Sequence, residues 1–180
     1  MEKLELSAEF DFETMDLSLL VDHILKTHHV FVKENIPLLL QYTKKIAEVH
    51  GANHPELMKI ETIFKGIAND MLGHLGKEED VLFPNIIIIV NKEKNNSPEK
   101  AEPVSWLIQG METEHEFVGN EMKIIANLSA NFTPPPDGCT TYQITFQKLK
   151  EFDENLQQHV HLENEILFKR IIEVEKKLNL

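Results

Sequence analysis

The sequence predicts an all-α fold, an up-down-up-down four-helix bundle. Three observations carry that prediction. Apolar residues recur at steps of three and four along four stretches of roughly 30 residues each, the period of a helix with one buried face. Glycine is scarce, 7 in 180 residues, while the hydrophobic fraction of 42% is that of a globular chain with a substantial core. Clusters of turn-forming residues fall at His50–Pro55, Asn91–Pro103 and Asn131–Gly138, which divides the chain into four.

Residues 1–15 are acidic and mixed and read as a lead-in, with one bundle domain over 16–180. The first helix begins at Leu17, with Val21, Leu25, His29, Val32, Ile36 and Leu39 on one face. Pro37 is expected to kink it without ending it, because no polar turn cluster accompanies the proline. Gly51 past the end, Asn53 as N-cap, then Pro55 and Glu56 in a new first turn supply stop and start signals. The second helix is expected over 55–90 with a kink at Pro84, its buried series running Leu57, Ile60, Phe64, Ile67, Met71, His74, Glu78, Val81. A flexible lysine-rich connection follows over 91–103. The third helix carries Val104, Ile108, Met111, His115, Val118, Met122 and Ile125 on one face, and the fourth runs from Cys139–Tyr142 to about Lys177. Trp106, Phe64, Phe83 and Phe168 are expected in the core.

Composition excludes several functions. A net charge of −12 without a basic cluster argues against nucleic acid and anionic membrane as partners. The longest apolar run, Ile86–Val90, is too short to span a bilayer. With one cysteine, Cys139, and no signal-like run after Met1, the chain is expected to be cytoplasmic.

Two motifs stand out against this pattern: His74-x3-Glu78 and His159-x3-Glu163. Four residues is about one helical turn, so each imidazole and carboxylate share a face, and that face is the apolar one. His29 and His74 are 45 residues apart, His115 and His159 are 44. The midpoint of the first pair falls at Gly51-Ala52 and that of the second at Asp137-Gly138, both in turns, so each hairpin brings its two histidines to one height. His29, His74, Glu78, His115, His159 and Glu163 therefore form one layer. A single core histidine hydrogen-bonded to a glutamate needs no metal. Six such groups at matched height in two repeated halves are more simply explained by buried metal, two ions bridged by two carboxylates with two histidines each. The donor set lacks thiolate, which disfavours an iron–sulfur cluster and leaves iron, manganese or zinc. His50 lies about 31 Å further along the first helix than His29 and belongs with His54 at the bundle end. His161 should face away, His23 and His28 flank His29 as residues that either support it or lie on the surface, and Cys139 is assigned a structural role.

Over about residues 20–170 the chain resembles the hemerythrin-like diiron proteins, and more closely the Ric (repair of iron centres) family. The resemblance rests on Asp22-His23-Ile24 with His29, Val49-His50, His74-x2-Lys77-Glu78-Glu79, Glu112-Thr113-Glu114-His115, Thr133-Pro134-Pro135-Pro136 with Cys139-Thr140-Thr141, and His159-x-His161-Leu162-Glu163-Asn164. It implies two non-haem iron ions with an oxo or hydroxo bridge, Glu78 and Glu163 bridging, and Glu114 on the route to the site. It also implies a stress protein that donates iron to damaged iron–sulfur proteins, with O2 or NO binding, or NO reduction, as alternatives. Family members usually carry an N-terminal domain with adjacent cysteines, in place of which this sequence shows the acidic lead-in. Asp70, His28 and Lys169 stand where the family commonly has Glu, Tyr and Pro, and none of these removes a ligand.

Overall fold

A computed structural model describes residues 11–180; of the expected lead-in, residues 1–10 lie outside the described residues. The described residues form four helical rods. The first is α1 (Leu17–Ile24), a π turn (Leu25–His29) and α2 (Val30–His50). The second is α3 (Glu56–Lys77), a π turn (Glu78–Leu82) and α4 (Phe83–Asn95). The third is α5 (Ser105–Leu128), and the fourth is α6 (Thr140–His161), a π turn (Leu162–Leu167) and α7 (Phe168–Leu178). α2 packs on α3 and α6, and α5 packs on α3 and α6, which closes the square.

The rods begin and end as their sequences dictate, with local differences. Asp16 caps α1, its carboxylate accepting from the Ser18 amide at 2.9 Å. Pro37 sits inside α2, which continues through it. Gly51 does follow α2, but in right-handed geometry (φ −58°), and Pro55, not Asn53, is the residue before α3. Pro84 falls in the first turn of α4, directly after the π turn, and the rod continues through it; α4 extends to Asn95, past the expected end at Val90. Three consecutive residues, Ala130, Asn131 and Phe132, adopt φ of 48°, 56° and 58° in the loop before α6. That conformation is costly for side-chain-bearing residues. Burial of the Phe132 ring and the bond from its amide to Ser129 Oγ (3.0 Å) oppose the strain.

The core is divided in two. One cluster draws on residues after His29, before His74, after His115 and before His159, for example Ile36, Phe64, Met122 and Phe152. The other draws on residues before His29, after Glu78, before His115 and after Glu163, for example Ile24, Phe83, Ile108 and Phe168. Each rod therefore crosses from one apolar cluster to the other, in alternating sense, and the His/Glu layer is the crossing plane. Phe64, Phe83 and Phe168 are buried as expected, but Trp106 is 69% exposed: it lies off the Val104–Ile108–Met111 stripe of α5. Val81 is also exposed, and Leu82 takes the buried place. The π turn over 78–82 inserts one residue into the helical count and moves the phase on by one position. No helix among the described residues is long and apolar enough to cross a membrane.

Candidate metal centre

The layer begins with helix phase. His74 and His159 stand on the buried faces of α3 and α6, and His115 on that of α5. His29, Glu78 and Glu163 each lie within a π turn. All six side chains predicted for the site are buried, from 0% exposure for Glu78, His159 and Glu163 to 3% for His115.

Their donor atoms gather into two groups, His29–Glu78–His159–Glu163 and His74–Glu78–His115–Glu163, with the atoms of each group within 4.8 Å of one another. Both glutamates belong to both groups. Glu78 turns Oε2 toward His29 Nε2 (3.4 Å) and Oε1 toward His74 Nε2 (3.1 Å). Glu163 turns Oε1 toward His159 Nε2 (2.8 Å) and Oε2 toward His115 Nε2 (3.1 Å). Each carboxylate thus presents one oxygen to each group, the disposition of a bridge. Motif spacing brings the six together but leaves the histidine pairing open; the structure pairs His29 with His159 and His74 with His115.

Proton accounting shows that these residues suit cations. A carboxylate can only accept, so where one faces Nδ1 the ring donates from Nδ1 and its Nε2 carries a lone pair if the ring is neutral. Glu79 holds His29 Nδ1 at 2.8 Å, Glu114 holds His74 Nδ1 at 2.9 Å, and Asn164 Oδ1 holds His115 Nδ1 at 2.9 Å. His74 Nε2 and His115 Nε2 then point at each other across 2.9 Å, two lone pairs that repel unless a proton or a metal ion is shared between them. His29 Nε2, both oxygens of Glu78, Glu163 Oε2 and His159 Nδ1 are buried and make no aligned hydrogen bond. Four of these, His29 Nε2, both Glu78 oxygens and Glu163 Oε2, are acceptors of the layer itself, and a divalent cation in each group would satisfy them together. His159 Nδ1 lies on the far side of its ring from the layer.

The electrostatics agree. Burial tends to lower the His29 imidazole, but the surrounding Glu163 and Glu78 carboxylates outweigh it and push the group up to about 10. His74 is raised in the same way, burial being overcome chiefly by Glu78. Burial would raise Glu163, yet His159 and His115 hold it well below the usual carboxylate range. In the metal-free layer the shared carboxylates therefore draw His29 and His74 toward their protonated forms.

Of the outer partners, the sequence singles out Glu114, expected on the route to the site, and His28, flanking His29; it assigns no role to Glu79 or Asn164. Glu79 is clamped by Lys33 Nζ at 2.7 and 2.6 Å, and Glu114 by Lys77. Glu79, Asn164 and His28 are each next in sequence to a layer residue. A π turn widens the helix so that consecutive side chains both face inward, and the pairs His28–His29, Glu78–Glu79 and Glu163–Asn164 all lie in such turns. A polar residue adjoining a core-facing ligand was the available signal. Burial pushes the His28 imidazole below its ordinary value, and its ring lies parallel to that of His159.

The remaining predicted outliers stay out of the layer. His161 is exposed. His50 Nε2 lies 3.1 Å from Cys139 Sγ at the far end of the bundle, and His54 bonds Asp137 nearby. The amide of Tyr142 at the start of α6, then His50, hold the exposed Cys139 thiol below its ordinary value. A cleft of about 660 Å³ between α5 and α6 reaches His115 and Asn164 from solvent.

A helical bundle whose crossing plane offers two His2Glu2 groups sharing both carboxylates has the donor set of a cation-binding protein. The hemerythrin HHE cation binding domain matches residues 20–171, and the chain belongs to that family. Its relatives include the iron-sulfur cluster repair protein ScdA of Staphylococcus epidermidis, 27% identical over 157 residues that cover 87% of this chain and 67% of ScdA. The iron-sulfur cluster repair protein YtfE of Escherichia coli O81 is 32% identical, covering 91% of this chain and 70% of YtfE. A probable iron-sulfur cluster repair protein of Haemophilus influenzae is 30% identical, covering 90% and 68%.

Proposed function

We propose that the bundle, residues 16–180 with a short lead-in before it, holds two iron ions in the cytoplasm and supplies iron for the repair of iron–sulfur proteins damaged by oxidative or nitrosative stress. The observation that carries this reading is the double His2Glu2 layer with both carboxylates shared, in a chain similar over most of its length to iron–sulfur cluster repair proteins. His29 and His159 would hold one ion, His74 and His115 the other, with Glu78 and Glu163 across both. Nitrogen and oxygen donors without thiolate suit ferrous iron and bind it less tenaciously than a sulfur site would. The iron itself is the cargo. The chain's own part is to keep His29, His74 and His115 oriented through Glu79, Glu114 and Asn164, and to exclude bulk water from the layer. Because the metal-free layer welcomes protons, protonation of the imidazoles favours release.

The direct test is elemental analysis with visible spectra, followed by incubation of the iron-loaded protein with an iron–sulfur enzyme stripped of its cluster. Two irons per chain and recovery of the enzyme above a free-iron control are expected. Zinc in the layer, or recovery no better than free iron, would refute the reading.

A second reading, reversible binding of O2 or NO, draws on the excess of four imidazoles over two carboxylates and on the cleft that reaches His115. Stopped-flow spectra of the ferrous protein separate the two readings: a stable adduct favours gas binding, and oxidation without an adduct disfavours it.

A further inference from the structure

Outside the layer, a cavity of about 380 Å³ has three imidazoles in its wall: His23 of α1, His28 of the first π turn and His161 of α6. His28 is 3% exposed, although the two groups of the layer already have their four histidines. Its Nδ1 faces Asn155 Oδ1 at 3.3 Å, which makes that nitrogen the donor and leaves a lone pair on Nε2. His29, His74 and His115 are held in the same way, each with Nδ1 against an oxygen. This is how proteins orient imidazoles that ligate metal. The His28 ring lies parallel to that of His159, centroids 5.7 Å apart and 8° between planes, and His23 meets His28 edge-on at 5.9 Å. Imidazoles thus run without interruption from the cavity wall to the layer.

We propose that His28, with His161 and His23, forms an auxiliary site for a divalent transition-metal ion, a staging position beside the layer. Imidazole donors select iron, cobalt, nickel or zinc over magnesium and calcium, and no carboxylate lines this cavity. The three rings border the space without the tight convergence of the two His2Glu2 groups. His28 is the fixed ligand, the exposed His161 swings in, and water completes the shell. Such a site binds more weakly than the layer and exchanges faster, as a staging position requires. With neutral donors only, it leaves the ion its full charge, and the two shared carboxylates of the layer then draw the ion inward. The staging role rests on reading the layer as a metal centre; the site itself does not.

Equilibrium dialysis of the full chain against Co2+, read by metal content and visible absorption, tests the proposal in wild type, H28Q, H161Q, N155L and H74Q. Wild type should bind three ions, one of them roughly tenfold or more weaker than the other two. H161Q should lose the weak ion and keep the tight pair, since His161 is exposed and its replacement leaves folding intact. H28Q should also lose the weak ion, while its tight pair responds as well because His28 packs on His159. N155L should weaken that ion roughly tenfold by freeing the His28 ring, and H74Q should deplete the tight class alone. Absence of a third ion in wild type, or its persistence at unchanged affinity in both H28Q and H161Q, would overturn the site. A weak ion without a tight pair would leave the auxiliary site standing and refute the layer as a metal centre.

Discussion

Glu163 and His159 are neighbours in the layer with different reach. Glu163 faces both groups, so on the two-ion reading proposed above E163Q should empty both, and metal content should fall well below one per chain. H159Q leaves His74, Glu78, His115 and Glu163 complete and should retain about one, which metal analysis of the two variants would distinguish. The protonation of these residues also sets a pH dependence. In the metal-free protein Glu163 lies well below its ordinary 4.5, so its stabilisation is fully present above 4.5 and lost as pH falls below that. His29 is raised from 6.5 to about 10, so its contribution is fully present below 6.5 and lost as pH rises toward 10. Metal-free protein should therefore be most stable between 4.5 and 6.5. The ions must displace the His29 proton, so their binding tightens as pH rises. The difference in melting temperature between loaded and metal-free protein should accordingly widen from about pH 5 to 9, by calorimetry; a constant difference would contradict the proton accounting.

The helices were legible in the sequence because an apolar stripe with a period of three and four residues buries one face of a helix and of no other regular element, and His29, His74 and His115 could be placed on stripes by counting. What counting missed were the three π turns. A fixed period of 3.6 residues carries the phase past Glu78 to Val81, whereas the inserted residue delivers Leu82 instead. Leu82→Ala should then cost about 2–5 kcal/mol in denaturant unfolding, as for a core leucine, while Val81→Lys should stay within about 0.5 kcal/mol. The opposite order would restore the unbroken α-helical register. Trp106 failed on different grounds: residue type suggested a core position, but its place on α5, off the buried stripe, already pointed outward. The hydrogen-bond partners Glu79 and Asn164 were hidden because, on a regular helix, the residue after an inward ligand faces away. The hairpin midpoints worked because they depend on chain length and turn position, both of which survive a single inserted residue.

At the scale of the molecule, bound metal adds stability by mass action, about 4 kcal/mol per site when the free ion stands a thousandfold above its dissociation constant. Chelation should lower the melting temperature accordingly without loss of helical circular dichroism at 25 °C, since the two apolar clusters do not depend on the layer. Loss of helix on chelation would make the metal part of the fold itself. The crossing of all four rods between the two clusters has a further consequence for cooperativity. A protein with two cores would ordinarily split into two independently melting foldons, yet here every foldon boundary would have to cut four helices at the same height. Amide exchange at the waist, around Leu75, Val118 and Leu162, should therefore follow global unfolding even in chelated protein, and only the rod ends should exchange by local fraying.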